Sequence, residues 1–229
     1  MTETIYTIPI NEEFEARLES NECACPLCNL YKKLEKDELS LILGASMMEP
    51  DVRIKTNRLG FCAHHYEKML TNGKRLPLAL ILESHLAEVR DNISGRGASP
   101  EKTVRRLKEL RDSCYVCSRT NDNFNHLVSN VVYMWETSRE FREKFSEQKY
   151  ICIDHYADLL ECAKREMTKK VFKEFAESAE TLANSILDGL CEDVSWFCKK
   201  YDYRYQDEPW GNSKDSPERA VKFLGGETK

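Results

Sequence analysis

The chain has 229 residues, of which 41% are hydrophobic and 32% charged, a composition typical of a folded globular protein and not of a disordered one. Its net charge of −5 provides no general attraction for nucleic acid, and no run approaches the roughly 18 apolar residues that cross a bilayer. With only 9 Gly and 7 Pro among abundant helix formers, the sequence predicts an all-α fold.

The first predicted elements lead to a C-x2-C motif. Residues 5–10 surround Pro9 and are predicted to form an extended apolar arm, which a short helix over residues 11–18 follows. Cys25-Pro26-Leu27-Cys28 then opens a helix that Gly44 ends. Residues 47–60 show no helical period, so we predict a structured loop there.

A C-x2-H motif opens the next helix. It begins near Phe61, carries Cys62 and His65, and ends at Asn72-Gly73. The helix over residues 76–93 starts with LPLALIL and is expected to be deeply buried there. Residues 94–100 (SGRGASP) are predicted to be a linker, and a basic helix follows.

The second half repeats the order of the first. Cys114 and Cys117 form another C-x2-C, and Cys152 and His155 another C-x2-H, with spacers of 33 and 34 residues in the two halves. Ten Cys and five His would give about 0.2 C-x2-H pairs by chance, so two such pairs indicate an internal duplication. Helices are predicted around residues 124–135, 141–145, 152–160 and 172–190.

Three thiolates and one imidazole form a standard closed tetrahedral set for Zn²⁺. Ligands three residues apart on a helix share a face, so each motif supplies half of a tetrahedron. The order of the motifs predicts two Zn²⁺, one held by each half of the chain. The predicted ligands are Cys25, Cys28, Cys62 and His65 in the first half, and Cys114, Cys117, Cys152 and His155 in the second. Two alternatives to zinc binding remain. The cysteines could be reduced core residues or form disulfides, or the ligands could hold an iron–sulfur cluster.

The last 34 residues are rich in aromatic side chains. Trp196, Phe197, Tyr201, Tyr203, Tyr205 and Trp210 lie within fifteen positions, and the tyrosines alternate with charged residues. This period of two predicts an extended strap in which buried rings stabilise the fold, with a binding groove as the alternative. Ser216, Pro217 and Gly225 mark a short final helix.

Other candidate residues carry weaker signals. Glu49, Asp51, Arg53 and Asn57 form the densest polar cluster in the predicted loop, where an enzyme would have room for chemistry. Of the cysteines outside the repeat, Cys162, Cys191 and Cys198 are expected to be buried and inert, and Cys23 is a candidate substitute ligand or sensor thiol. No phosphate-binding loop, G-x-S-x-G or HExxH motif is present, so no catalytic or cofactor-binding residue is assigned.

The chain also resembles a family of uncharacterised bacterial proteins of about this length. The resemblance rests on IYTIPI, CPLC, MEPDVR with the following TN, GFC and HY, and FCKKYDYR with the following PWG. It implies a cytosolic protein in which the same eight Cys and His positions are duplicated, and it implies no activity. The second copy departs from CPLC, because Cys114-Tyr115-Val116-Cys117 lacks the proline.

These observations predict three regions: an arm and first Cys3His module (1–95), a linker helix and second module (96–195), and the strap with its short helix (196–229). A closed ligand set leaves no position for the water that catalytic zinc needs, so we expect structural sites in a binding or scaffold protein. A redox sensor and an enzyme using residues 49–57 are the alternatives. We expect a cytoplasmic protein, because no signal peptide is evident, and a protein or small molecule as its partner, not a membrane or nucleic acid.

Overall fold

A computed structural model describes residues 7–20 and 24–226. Within these ranges the chain forms eleven α-helices and no strand, which confirms the all-α prediction. The helices of the first half are α1 (Thr7–Glu19), α2 (Pro26–Ile42), α3 (Pro50–Leu59), α4 (Ala63–Thr71), α5 (Arg75–Ser94) and α6 (Pro100–Arg111). Those of the second half are α7 (Tyr115–Thr137), α8 (Arg139–Ser146), α9 (Ile153–Glu166), α10 (Lys169–Lys199) and α11 (Ser216–Gly225). Short 3-10 segments occupy Ala45–Met48, Tyr203–Tyr205 and Gly211–Asp215.

The chain divides into two compact units. The first contains the described parts of Met1–Lys32 and Phe124–Lys229, and the second is Lys33–Asn123. Helix α2 therefore begins in the first unit and ends in the second, and α7 returns the chain to the first. The three regions predicted from the order of the motifs remain a prediction about domains.

Aromatic packing forms the core of the first unit. Phe14 of α1 contacts Phe141 and Phe145 of α8, with ring centroids 5.0 and 6.3 Å apart. Phe175 of α10 is fully buried against Phe145 and against Trp135 of α7. These rings lie on one face of each helix, so their burial fixes how the helices of this unit pack.

The second unit has a separate core. Its buried members come from α2, α4, α5 and α7 and from the residues that directly flank these helices: Leu39, Ile42, Leu43, Phe61, Met69, Leu78, Ile81, Cys114, Tyr115 and Val116. The first turn of α5 is less buried than its sequence suggests, because Leu76 is 69% exposed although Leu78 and Ile81 are buried. Among the described residues, no helix combines the length and apolar character needed to cross a membrane.

Two predicted non-helical segments are helical. Helix α3 occupies most of the predicted loop over residues 47–60, with Pro50 in its first turn and Gly60 at its end. Proline fits the first turn because the N–H it lacks would have no partner within the helix. The predicted arm is wrong from Thr7 onward, where α1 begins, and its residues 5 and 6 lie outside the described part of the chain.

The aromatic tail is not an extended strap. Trp196 and Phe197 belong to the last turns of α10. Tyr205 lies in a 3-10 segment, and its ring contacts the ring of Trp196. Tyr201 and Tyr203 are 73% and 81% exposed, so these rings do not stabilise the fold by burial. The period of two reflects a tight turn after α10 and not a strand.

Lys200 organises this turn. Its side chain is buried, and its amine donates to the backbone carbonyls of Tyr205, Gln206 and Glu208 at 2.5–2.7 Å. The same amine lies 5.4 Å from the centre of the Trp210 ring. One ammonium group thus donates to three carbonyls of the turn, of which that of Tyr205 also accepts from the N–H of Glu208 at 3.2 Å.

Candidate metal centres

The eight predicted ligands come together in two groups of four. Centre 1 lies in the first unit and consists of Cys25, Cys28, Cys152 and His155. Centre 2 lies in the second unit and consists of Cys62, His65, Cys114 and Cys117. In each group, one ligand atom from every residue lies within 4.8 Å of the others.

The pairing of the motifs differs from the prediction. Each centre joins the C-x2-C of one half to the C-x2-H of the other half, and not to the C-x2-H that follows it in its own half. The path of the chain explains the exchange. Helix α2 leaves the first unit after Lys32, so the next C-x2-H belongs to the second unit, and α7 returns the chain before Cys152.

All four motifs use the same local structure. Each first cysteine directly precedes a helix (α2, α4, α7 or α9), and each second ligand is the third residue of that helix. The Cys25 and Cys114 carbonyls accept from the N–H groups of Asn29 and Ser118, as expected of residues that cap a helix. Each centre therefore lies at two helix N-termini, where the partial positive charge stabilises thiolates.

The distances between ligand atoms fit a single tetrahedral ion. With Zn–S bonds near 2.3 Å and Zn–N bonds near 2.0 Å, a tetrahedron has S···S edges of about 3.8 Å and S···N edges of about 3.5 Å. In centre 1, the Cys28 and Cys152 sulfurs are 3.7 Å apart, and His155 Nδ1 lies 3.1–3.5 Å from the three sulfurs. In centre 2, the Cys62 and Cys117 sulfurs are 3.8 Å apart, and His65 Nδ1 lies 3.2–3.4 Å from the three sulfurs.

The whole chain, residues 1–229, matches one family model, whose description is a family of unknown function (DUF6062). The chain belongs to this family. The resemblance found in the sequence is thereby confirmed, and the description of DUF6062 assigns no activity. Neither the comparison with curated proteins nor the comparison with solved structures gives a match.

Short contacts in this DUF6062 chain position the motifs of centre 2. Gly60 ends α3 with φ +60°, and its carbonyl accepts from the N–H of Tyr115 at 2.9 Å. Ser113 Oγ donates to the Leu59 carbonyl at 2.7 Å. These bonds hold the segment before Cys62 against the segment before α7. A side chain at residue 60 would bring its Cβ 3.1 Å from His85 Nε2, and the positive φ also favours glycine.

Contacts from the segment before α9 support centre 1. Gln148 Nε2 donates to the Phe14 carbonyl at 2.9 Å, and Lys149 Nζ donates to the Ser20 carbonyl at 2.9 Å. Both carbonyls precede Cys25 in the chain, so these bonds hold the approach to Cys152 against the approach to Cys25. The Phe124 ring lies 5.1 Å from the His155 ring and covers it with apolar surface.

The protonation states of the centre 1 residues in the metal-free protein show why this centre favours binding of a cation. Burial raises the pKa of Cys25, and hydrogen bonds from Cys25 and Cys28 lower the pKa of Cys152. Burial by itself would lower the pKa of His155, but contacts with the Cys152 and Cys28 sulfurs outweigh it and raise that pKa to about 9. The His155 imidazolium and the Cys25 thiol thus hold protons that a divalent cation would replace.

Sequence reasoning missed Glu35, the main neighbour of centre 2. Its carboxylate is bound by His65 Nε2 at 3.0 Å and by Lys68 Nζ at 2.5 Å. Burial raises the pKa of Glu35, but Lys68 and His65 outweigh this effect, so the pKa lies below its usual value. Local sequence offered no signal, because Glu35 shares α2 with Cys28 of centre 1, whereas its partner His65 in centre 2 is 30 residues away.

The remaining candidate residues that the structure describes do not join either centre. His64 lies 3.4 Å from Glu35, with its side chain 59% exposed. In the predicted polar cluster, Ser84 of α5 donates to the side chain of Asn57 in α3 at 2.9 Å, and Glu49 and Asp51 are exposed. Cys162 is buried as expected, whereas the expectation is wrong for Cys191 and Cys198, which are exposed. Cys23 lies outside the described residues.

Proposed function

We propose that this protein binds two Zn²⁺ at structural centres and that the helices so held form a binding or scaffold module. The observation that carries the proposal is the pair of Cys3His groups whose ligand atoms have the spacing of a single-ion tetrahedron. Three thiolates and a neutral imidazole around Zn²⁺ have a net charge of −1, which the two helix N-termini at each centre stabilise.

The closed ligand set supports a structural role. Four protein ligands fill a tetrahedron, whereas catalytic zinc keeps one position for water or substrate. Each centre also ties two helix starts that are far apart in sequence, with Cys28 and Cys152 separated by 124 residues. The repeated placement of ligands at helix starts is the main support for an internal duplication, and reduced thiols are consistent with a cytoplasmic protein.

The geometry favours one ion over an iron–sulfur cluster at each centre. A cluster distributes its ligands over several iron atoms, so ligands on different irons lie farther apart than the edges of a single tetrahedron, whereas each His Nδ1 here lies 3.1–3.5 Å from all three sulfurs. The S···S distances of 3.7 and 3.8 Å match those edges. A single ion bound by soft thiolates in a tetrahedron is most simply zinc.

Metal analysis of protein purified without oxygen tests the proposal. We expect two equivalents of zinc per chain, one for each group of four ligands. Chelation should lower the melting temperature and leave much of the helix, because each unit keeps its own apolar core. Protein that contains iron and sulfide, or that is folded and fully reduced but binds no zinc, would contradict the proposal.

A further inference from the structure

The two centres differ in the accessibility of their sulfurs. In centre 1 all three cysteines are buried, with Cys25, Cys28 and Cys152 no more than 1% exposed. In centre 2, Cys114 is buried, but Cys62 and Cys117 are partly exposed. A reagent dissolved in water therefore reaches two thiolates of centre 2, whereas it reaches none of those of centre 1 without local unfolding.

The two accessible sulfurs of centre 2 are also neighbours. Cys62 and Cys117 lie on different helices, 55 residues apart in sequence, with their sulfurs 3.8 Å apart. An oxidised thiol becomes a disulfide when a second thiolate is within reach, and otherwise it continues to irreversible products. Cys62 directly precedes α4 and Cys117 lies in the first turn of α7, and coordination to the proposed zinc would keep both sulfurs as thiolates.

The third feature of centre 2 is the support of its histidine. His65 is buried and donates from Nε2 to Glu35, which Lys68 binds on its other oxygen. A carboxylate behind a ligand histidine strengthens metal binding, commonly by 10–100-fold. Centre 2 thus combines a firmly oriented imidazole with exposed thiolates, so it can hold zinc while reduced and still react with an oxidant.

Given the proposed zinc occupancy, on which this inference rests, we infer that centre 2 is a peroxide-responsive site that releases its zinc when Cys62 and Cys117 form a disulfide. A hydroperoxide oxidises one thiolate to the sulfenic acid, and the O–O bond breaks. The second thiolate attacks the sulfenic sulfur and displaces hydroxide. Two thiolates and H2O2 give one disulfide and two hydroxides, and zinc keeps only Cys114 and His65 as ligands, which is too few to retain it.

The test uses the full chain loaded with zinc. Hydrogen peroxide is added in steps, a chromogenic chelator measures zinc release, and peptide mapping after alkylation identifies the oxidised cysteines. We expect one of the two equivalents to leave first, together with a Cys62–Cys117 disulfide, while the centre 1 cysteines remain protected. A thiol reductant with added zinc should restore the second equivalent. A Cys191→Ser/Cys198→Ser variant removes two exposed thiols outside the centres and should release zinc as the parent does.

The outcomes separate this inference from the proposed function. Protein that never holds two equivalents contradicts the zinc assignment before any peroxide is added. If two equivalents are present, simultaneous loss of both, earlier loss from centre 1, or a disulfide other than Cys62–Cys117 overturns the inference and leaves the zinc assignment intact. Oxidation of Cys191 and Cys198 with no zinc release also overturns it.

Discussion

Glu35 Oε1 accepts a hydrogen bond from His65 Nε2 at 3.0 Å, on the side of the ring opposite the nitrogen that faces the sulfurs of centre 2. This bond keeps the proton on Nε2 and leaves Nδ1 free to bind a metal. Glu35 follows Cys28 by seven residues, and Phe124, which follows Cys117 by seven, contacts the ring of His155. Corresponding positions thus place a carboxylate at one centre and an aromatic ring at the other.

The Glu35→Gln variant should weaken zinc binding at centre 2 by about tenfold and leave centre 1 unchanged, because it removes the charge behind His65. Competition with a chelator of known affinity measures the two sites separately. Glu38→Gln is the matched control, since Glu38 is buried on the same helix but pairs with Arg119, 3.8 Å away, and contacts no ligand. Equal losses at both centres, or in both variants, would contradict a specific role for Glu35.

Zinc binding at centre 1 should release protons at neutral pH. In the metal-free protein the pKa of His155 is raised to about 9, so its imidazole is protonated and must lose this proton to bind the ion. The apparent zinc affinity should therefore rise as the pH rises from about 6 to 8. Calorimetry in buffers of different ionisation enthalpy measures the number of protons released, and a value of zero would be inconsistent with this account.

Replacing Lys200 with methionine should destabilise the protein by roughly 2–4 kcal/mol, because three backbone carbonyls lose their buried donor. Thermal or denaturant unfolding measures the change. Lys199→Met is the control, since Lys199 is the exposed neighbour and should change stability by less than about 0.5 kcal/mol. If both variants unfold alike, Lys200 does not organise the turn.

Tyr203→Ala should change the free energy of unfolding by less than about 0.5 kcal/mol, because the side chain is 81% exposed. Burial in a strap would instead have predicted a loss of about 3 kcal/mol for this ring. Phe223→Ala is the contrast, since Phe223 is buried in α11 against Tyr150, and its loss should cost about 3–5 kcal/mol. A large effect at Tyr203 would show that the ring is covered in solution.

Local patterns in the sequence identified most of the helices and all eight residues of the two centres. The C-x2-C and C-x2-H spacings are sufficient to identify these eight residues, because the two Cys or His residues of each motif lie within one helical turn. Helix α3 was missed because few of its residues face the core, with Thr56 the one buried residue within it, so no apolar period marks it. The tail was misread because alternating tyrosines also fit a turn that a buried lysine holds.

The pairing of the motifs could not be predicted from local sequence. Every C-x2-C has the same geometry at its helix start, so spacing does not distinguish between the two C-x2-H motifs. The choice depends on where α2 and α7 carry the chain, which is a property of the whole fold. Glu35 was missed for a related reason, since its partner His65 is 30 residues away in sequence.

The exchanged pairing is the central claim, and two double variants test it most directly. Cys28→Ser/Cys152→Ser removes two ligands of centre 1, so about one equivalent of zinc should remain in centre 2. Cys28→Ser/Cys62→Ser removes one ligand from each centre, so both equivalents should be lost or strongly weakened. Circular dichroism checks that each variant is folded, and metal analysis counts the zinc. The reverse pattern, with one equivalent kept only by Cys28→Ser/Cys62→Ser, would contradict the account.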